Sequence, residues 1–206
     1  MAFVSTEYKQ CIKRMKTWGF WRNMIVYFCV FSLVGHLIEY PYCWAGATFF
    51  DSVDWSNEVL SNPLKPFFIY GFGIAACGIF LYPFKVDLRN NCKSFWVALL
   101  QFYILSVFLG MAMELIQGFL QNQPDANGVY PLWDVHDLPG NILGQAWIVN
   151  DLLLGVVFTF ASWHIYPMCE RAMSKMNEKQ ADINVCVVAV IFLILTIYTY
   201  VFVPMG

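Results

Sequence analysis

Residues 94–120 read SFWVALLQFYILSVFLGMAMELIQGFL, a run without Lys, Arg or Asp and with one Glu, at position 114. A bilayer's hydrocarbon core needs about 20 apolar residues in a helix, so this run can cross it with tilt to spare. Outward from it, apolar runs at about 23–40 and 66–84 precede it, and runs at about 146–166 and 183–203 follow. The expected fold is therefore an all-α integral membrane protein, a bundle of about five transmembrane helices.

Composition agrees with that expectation. The 206 residues are 59% hydrophobic, 18% aromatic and 13% charged, with a mean hydropathy of +0.56. Soluble domains carry about 25% charged residues. A net charge of −2 gives no basic field for nucleic acid, so no nucleic-acid partner is expected. The opening MAFVSTEYKQ lacks the charged-then-apolar layout of a cleavable signal, so the first apolar run is expected to remain in the mature protein. Seven cysteines, an odd number without a CxxC, offer no disulfide framework.

Two domains of unequal size follow from the pattern. Residues 1–22, with Lys9, Lys13, Arg14, Lys16 and Arg22 and with Trp18, Phe20 and Trp21 at their end, read as a cytoplasmic basic interfacial segment. Residues 23–206 read as a single transmembrane helical domain. Pro41 is expected to stop the first span and Pro66 to open the second. Residues 42–65 form an acidic connection with Asp51, Asp54 and Glu58, with room for a short amphipathic helix or a re-entrant element. KVDLRNNCK (85–93) and MCERAMSKMNEKQAD (168–182) read as charged turns, and 121–145 as a loop punctuated by Pro, Gly and Asn. Eleven of the twelve Lys and Arg fall in the N-terminal segment and those two turns; only Lys65 falls on the other side. The positive-inside rule then places the N-terminus in the cytoplasm and the C-terminus outside.

The candidate site comes from polar groups at one depth. At 1.5 Å per residue, Tyr70 lies about 6 Å inward from Pro66, Asp151 about 8 Å from Ala146, and Glu114 about 9 Å from Leu120. Glu39 lies in the last turn of the first span. Ser32, His36 and Glu39 share one face, as do Gly110, Glu114, Gln117 and Gln121. An acid at the depth of Glu114 faces the bundle interior by default. Glu39 has a plainer reading as an interfacial carboxylate, His36 as its partner, and Asp151 as a residue bonding locally to backbone.

The segment YPLWDVHDLPGNILGQAWIVNDLLLG (130–155) supplies the rest of the wall: Trp133, Asp134 and Asn141 join Glu39, Tyr70, Glu114 and Asp151 as substrate-binding candidates. Glu39, Glu114 and Asp134 are the candidates for acid–base work. His136, Asp134 and Asp137 offer hard ligands without fixed helical spacing, a weak metal signal. No GxxxxGK[ST], GxSxG, HExxH or CxxCH occurs, so no P-loop ATPase lies in this chain and no cofactor is expected.

With those residues in view, the chain resembles the ABC-transporter type IV family of small bacterial membrane proteins. The family's Gly-aromatic-x-x-Glu motif is matched by Gly35-His36-Leu37-Ile38-Glu39, and its Tyr-Gly-x-Gly motif by Tyr70-Gly71-Phe72-Gly73. Its mid-membrane Glu is matched by Glu114. Its Trp-Asp…Pro-x-Asn-x-x-Gly segment is matched by Trp133-Asp134…Pro139-Gly140-Asn141-Ile142-Leu143-Gly144. The likeness covers roughly residues 24–167. His36 stands where an aromatic is usual, Val135-His136 where Tyr-Ser is usual, and Asp151 where Ser is usual, and each changes local polarity.

The resemblance implies a permease-like component in a bacterial cytoplasmic membrane. Its expected partners are membrane lipids, a small solute or lipid substrate, and a separate ATPase. Two other classes remain open: an intramembrane enzyme acting on a lipid-linked substrate through Glu39 or Glu114 with Asp134 as a positioning group, and a structural subunit whose polar groups pair across helices.

Overall fold

The computed structural model describes residues 6–49, 62, 64–126, 128, 130 and 133–202. Five helices are long and apolar enough to cross a membrane: α2 (Trp18–Phe49), α3 (Phe68–Asn91), α4 (Phe95–Gln121), α5 (Ile148–Met173) and α6 (Glu178–Phe202). A short helix α1 (Thr6–Arg14) precedes them. Between α4 and α5 lies a two-stranded antiparallel hairpin, β1 (Asn141–Ile142) with β2 (Ala146–Trp147), in the register Asn141↔Trp147 and Ile142↔Ala146.

Helix α2 corrects the expectation that Pro41 ends the first span. It runs to Phe49 with Pro41 inside it. Proline there only removes one N–H and leaves the Leu37 carbonyl without its helical donor, a cost that a helix can bear. Side-chain contacts beyond the proline hold the last turns: Cys43 is buried and Tyr42 bonds to α5. At 1.5 Å per residue α2 is about 47 Å long, more than the roughly 30 Å of a hydrocarbon core. The expected amphipathic or re-entrant element in 42–65 falls mostly on residues 50–61, outside the described residues.

The two charged turns are also shorter than read. Helix α3 continues through Lys85 and Arg89 to Asn91, and α5 continues through Glu170 to Met173. Both pass a proline, Pro83 and Pro167, by the same device. A π-helical turn precedes each, Cys77–Leu81 and Ala161–Ile165, and the N–H of Tyr82 reaches Cys77 O as that of Tyr166 reaches Ala161 O. Shifting the bonding by one residue makes room for a ring that would strike the carbonyl four residues back. The two π turns lie together, with the Tyr82 and Tyr166 rings 4.9 Å apart. Helix α6 begins with a capping box, in which Asn177 Oδ1 accepts from Gln180 N and Gln180 Oε1 from Asn177 N.

Helix α4 packs most closely on α5, and α2 on α3 and α6. Glycines set the approach: a Cβ on Gly71 would lie 2.7 Å from the Phe28 carbonyl oxygen, and one on Gly155 would enter Val107. The deepest packing is toward the Lys/Arg-rich end, where Leu81, Phe102 and Tyr166 are fully enclosed. There Glu170 takes Arg14 of α1 as an ion pair, Asn23 Nδ2 at 3.3 Å and the Tyr27 hydroxyl at 2.9 Å. Arg22 and Asp182 pair at 2.9 Å, joining α2 to α6. The basic N-terminal segment is thus fastened to the bundle. The opposite end carries the hairpin and its loop, and the polar groups read as a site.

Candidate functional site

The site is assembled from the loop end of four helices. On α2, Gly35 leaves a gap that the Tyr70 ring of α3 fills, since a Cβ at Gly35 would occupy the same space. That contact brings Tyr70 against Glu39, and the phenol hydrogen-bonds the Glu39 carboxyl group. One turn further along α2, the Tyr42 hydroxyl donates to Asn150 Oδ1 of α5 at 2.6 Å. The other end of that amide, Asn150 Nδ2, donates to Glu114 Oε1 of α4 at 2.5 Å. The backbone of Trp147, at the start of α5, also bonds Glu114. Asp151 follows in the same turn of α5 and places its carboxyl group within reach of Glu114.

Glu39, Tyr70, Glu114 and Asp151, four of the seven substrate-binding candidates, thus share one level of the bundle. Asp151 is wholly buried; Glu39, Tyr70, Asn150 and Glu114 are partly buried and Tyr42 is exposed. Glu114 acts as a carboxylate cap on the N-terminus of α5, where free N–H groups and the helix dipole favour negative charge. Among the described residues, no Lys, Arg or His forms an ion pair with Glu39, Glu114 or Asp151. The result is an acidic, phenol-rimmed level suited to a polar or positively charged group.

Trp133, Asp134 and Asn141 have nearby partners in the loop. The Trp133 indole N–H donates to Gln145 O at 2.9 Å, and Asn122 at the end of α4 brackets the Trp133 backbone, accepting its N–H at 3.3 Å and donating to its carbonyl at 2.7 Å. Asp134 Oδ1 accepts from His136 N at 3.0 Å, a local Asx-type turn, and the side chain stays exposed. Asn141 Nδ2 donates to His136 O at 2.8 Å and Leu138 O at 3.1 Å, while its Oδ1 accepts from Gly144 N at 3.2 Å. Gly144 at φ +68° makes the turn, and a Cβ there would strike His136. Gln145 packs against Gly118 and bonds Asn122, so the loop is fastened to α4.

The His136, Asp134 and Asp137 set shows one close approach, His136 Nδ1 to Asp134 Oδ1 at 4.0 Å, and His136 Nδ1 also meets the Tyr130 hydroxyl at 3.1 Å. Among the described residues no three His, Cys, Asp or Glu side chains gather as metal ligands. His36, read as the partner of Glu39, donates instead from Nδ1 to the Lys65 carbonyl at 2.6 Å and lies against the Phe67 ring.

Two residues that matter here escaped the sequence reading. Tyr42 was assigned to a connection because Pro41 looked like a stop. Asn150 is not among the sequence candidates, though it directly precedes Asp151. The pairing partner on α4 is not visible in sequence.

Comparison of the sequence with known families finds a match, over residues 26–200, to the family described as "Putative ABC-transporter type IV". Comparison with curated proteins and with solved structures finds no match.

Proposed function

The chain belongs to the ABC-transporter type IV family, and from that membership and its five membrane-crossing helices we propose that it is the membrane-embedded component of a transport system in a bacterial cytoplasmic membrane. In this reading its solute meets the bundle at the level of Glu39, Tyr70, Asn150, Glu114 and Asp151, with the loop carrying Trp133, Asp134 and Asn141 above it. The positive-inside distribution supports an outer-half position for that level. Energy comes from a separate ATPase, since the chain has no P-loop.

The observation that carries this reading is the depth of Asp151. A fully buried acid in a membrane-crossing helix, with no cationic partner among the described residues, is costly if it serves packing alone. Purely structural polar groups would be closed among themselves, as Tyr42, Asn150 and Glu114 Oε1 are, but the Asp151 oxygens are not.

The test is complementation in the native bacterium. A deletion strain should differ from its parent in uptake or release of at least one solute, measured by comparing the medium over growth. Wild type should restore the difference. Glu114→Gln should insert normally and restore less than a tenth of it. A deletion strain indistinguishable from its parent, or full rescue by Glu114→Gln, would contradict the proposal.

A further inference from the structure

Asp151 is 0% exposed, yet neither carboxyl oxygen meets a hydrogen-bond donor among the described residues. Its polar neighbour is another acid, Glu114, whose Oε2 is likewise without a donor. Ionised carboxylates offer acceptors only, so with both acids charged three buried oxygens from two adjacent helices converge without a donor among the described residues. The N-terminus of α5 offsets part of the charge through the Trp147 backbone, but a helix end amounts to about half a positive charge. Two carboxylates against half a charge leave a deficit of about one and a half positive units. A monovalent cation offsets most of it. A divalent ion prefers six or more oxygens and commonly more carboxylates, and no third His, Cys, Asp or Glu joins this pair among the described residues.

We propose that Asp151 and Glu114, steadied by Asn150, bind one monovalent cation at the first turn of α5. The cation is an alkali ion from the medium or the protonated amine of a solute; both present the same single charge. Asn150 fixes the geometry. Tyr42 donating to its Oδ1 and Glu114 accepting from its Nδ2 settle which way the amide points, so its oxygen faces away from Glu114 and the amide presents a donor only to the acid that needs one. This proposal rests on reading the region as a transport site and names the charge of what that site takes.

Asp151→Asn is the informative variant. Asp151 contributes no side-chain hydrogen bond to a donor, so the amide replaces it at nearly equal volume, whereas Glu114→Gln also disturbs the cap on α5. The purified full chain in lipid nanodiscs is unfolded thermally at constant ionic strength, read by tryptophan fluorescence. Sodium chloride, methylammonium chloride and N-methylglucamine chloride are compared, the last as a bulky reference cation. A ligand that binds only the folded state raises the midpoint as its concentration passes its dissociation constant.

The expected result is a saturable rise with sodium or methylammonium over N-methylglucamine, absent in Asp151→Asn and kept in Asp87→Asn at the basic end of α3. A response to sodium alone identifies an alkali ion, and one to methylammonium alone an amine head group. Equal midpoints in all three salts, or a response undiminished in Asp151→Asn, would overturn the proposal. If Asp151→Asn does not fold, calorimetric titration of the wild-type chain with the two small cations decides, and no saturable heat from either overturns it. These are equilibrium measurements on the chain alone. Loss of cation binding with complementation intact would remove this inference and leave the transport reading; cation binding with a silent deletion strain would do the reverse.

Discussion

Asn150 joins α2 to α4 through the two ends of one amide, accepting from Tyr42 and donating to Glu114. Each hydrogen bond contributes about 0.5–1.5 kcal/mol net, and a buried group left unpaired costs about 1–3 kcal/mol. Asn150→Ala should therefore lower stability by about 2–3 kcal/mol, and Tyr42→Phe by about 1 kcal/mol, in denaturation of the purified chain. Asn150→Asp separates packing from charge. It keeps the acceptor for Tyr42 but sets a third carboxylate against Glu114 and Asp151, so it should be less stable than Asn150→Ala at neutral pH. An Asn150→Asp chain as stable as wild type would mean that this level is less acidic or wetter than described. At this scale the sequence was informative where depth alone decides. Glu39, Tyr70, Glu114 and Asp151 were placed together by counting residues inward from the ends of apolar runs. Tyr42 was lost because its position depends on whether a proline ends a helix, which tertiary contacts settle. Trp133, Asp134 and Asn141 were grouped with the deep acids by polarity, whereas their hydrogen bonds are to neighbouring loop groups and the end of α4.

The helices were legible in number and in apolar extent because a bilayer imposes one length on every crossing segment. Their ends were not. Pro41 reads as a stop, yet α2 passes through it, as α3 and α5 pass through Pro83 and Pro167. The π turns before Pro83 and Pro167 are a backbone solution that leaves no mark in composition. Charged residues misled in the same way: Lys85, Arg89 and Arg171 lie on helical extensions beyond the apolar runs. The seam between α2 and α3 is the element that sets the site, because Tyr70 occupies the gap at Gly35. Gly35→Ala should force the ring off Glu39 and strain the pair, at about 1–3 kcal/mol as for other overpacked contacts. The prediction is a lower unfolding midpoint that Gly35→Ala shares with the double variant carrying Tyr70→Ala only in part, since removing the ring relieves the clash. Equal losses in both would place the strain elsewhere.

At the scale of the whole molecule, one end is basic and knit by ion pairs, and the other gathers acids and phenols beneath a fastened loop. Helix α6 packs chiefly on α2 and turns Ile183, Val187, Val190, Ile191 and Ile194 outward, as a lipid-facing helix does. If a solute meets the level of Tyr42, Asn150 and Glu114 from outside, as proposed, water reaches that level on the side away from the basic end. Tyr42, 43% exposed and bonded to Asn150, is where a probe should reach it. In a chain freed of its seven native cysteines, Tyr42→Cys is treated in intact cells with membrane-impermeant methanethiosulfonates, one cationic and one anionic. Ala126→Cys and Asn90→Cys mark the two sides. The account predicts that Tyr42→Cys reacts from outside as Ala126→Cys does, faster with the cationic reagent than the anionic, while Asn90→Cys stays unmodified. Reaction at Asn90→Cys but not at Tyr42→Cys, or equal rates with both reagents, would contradict it.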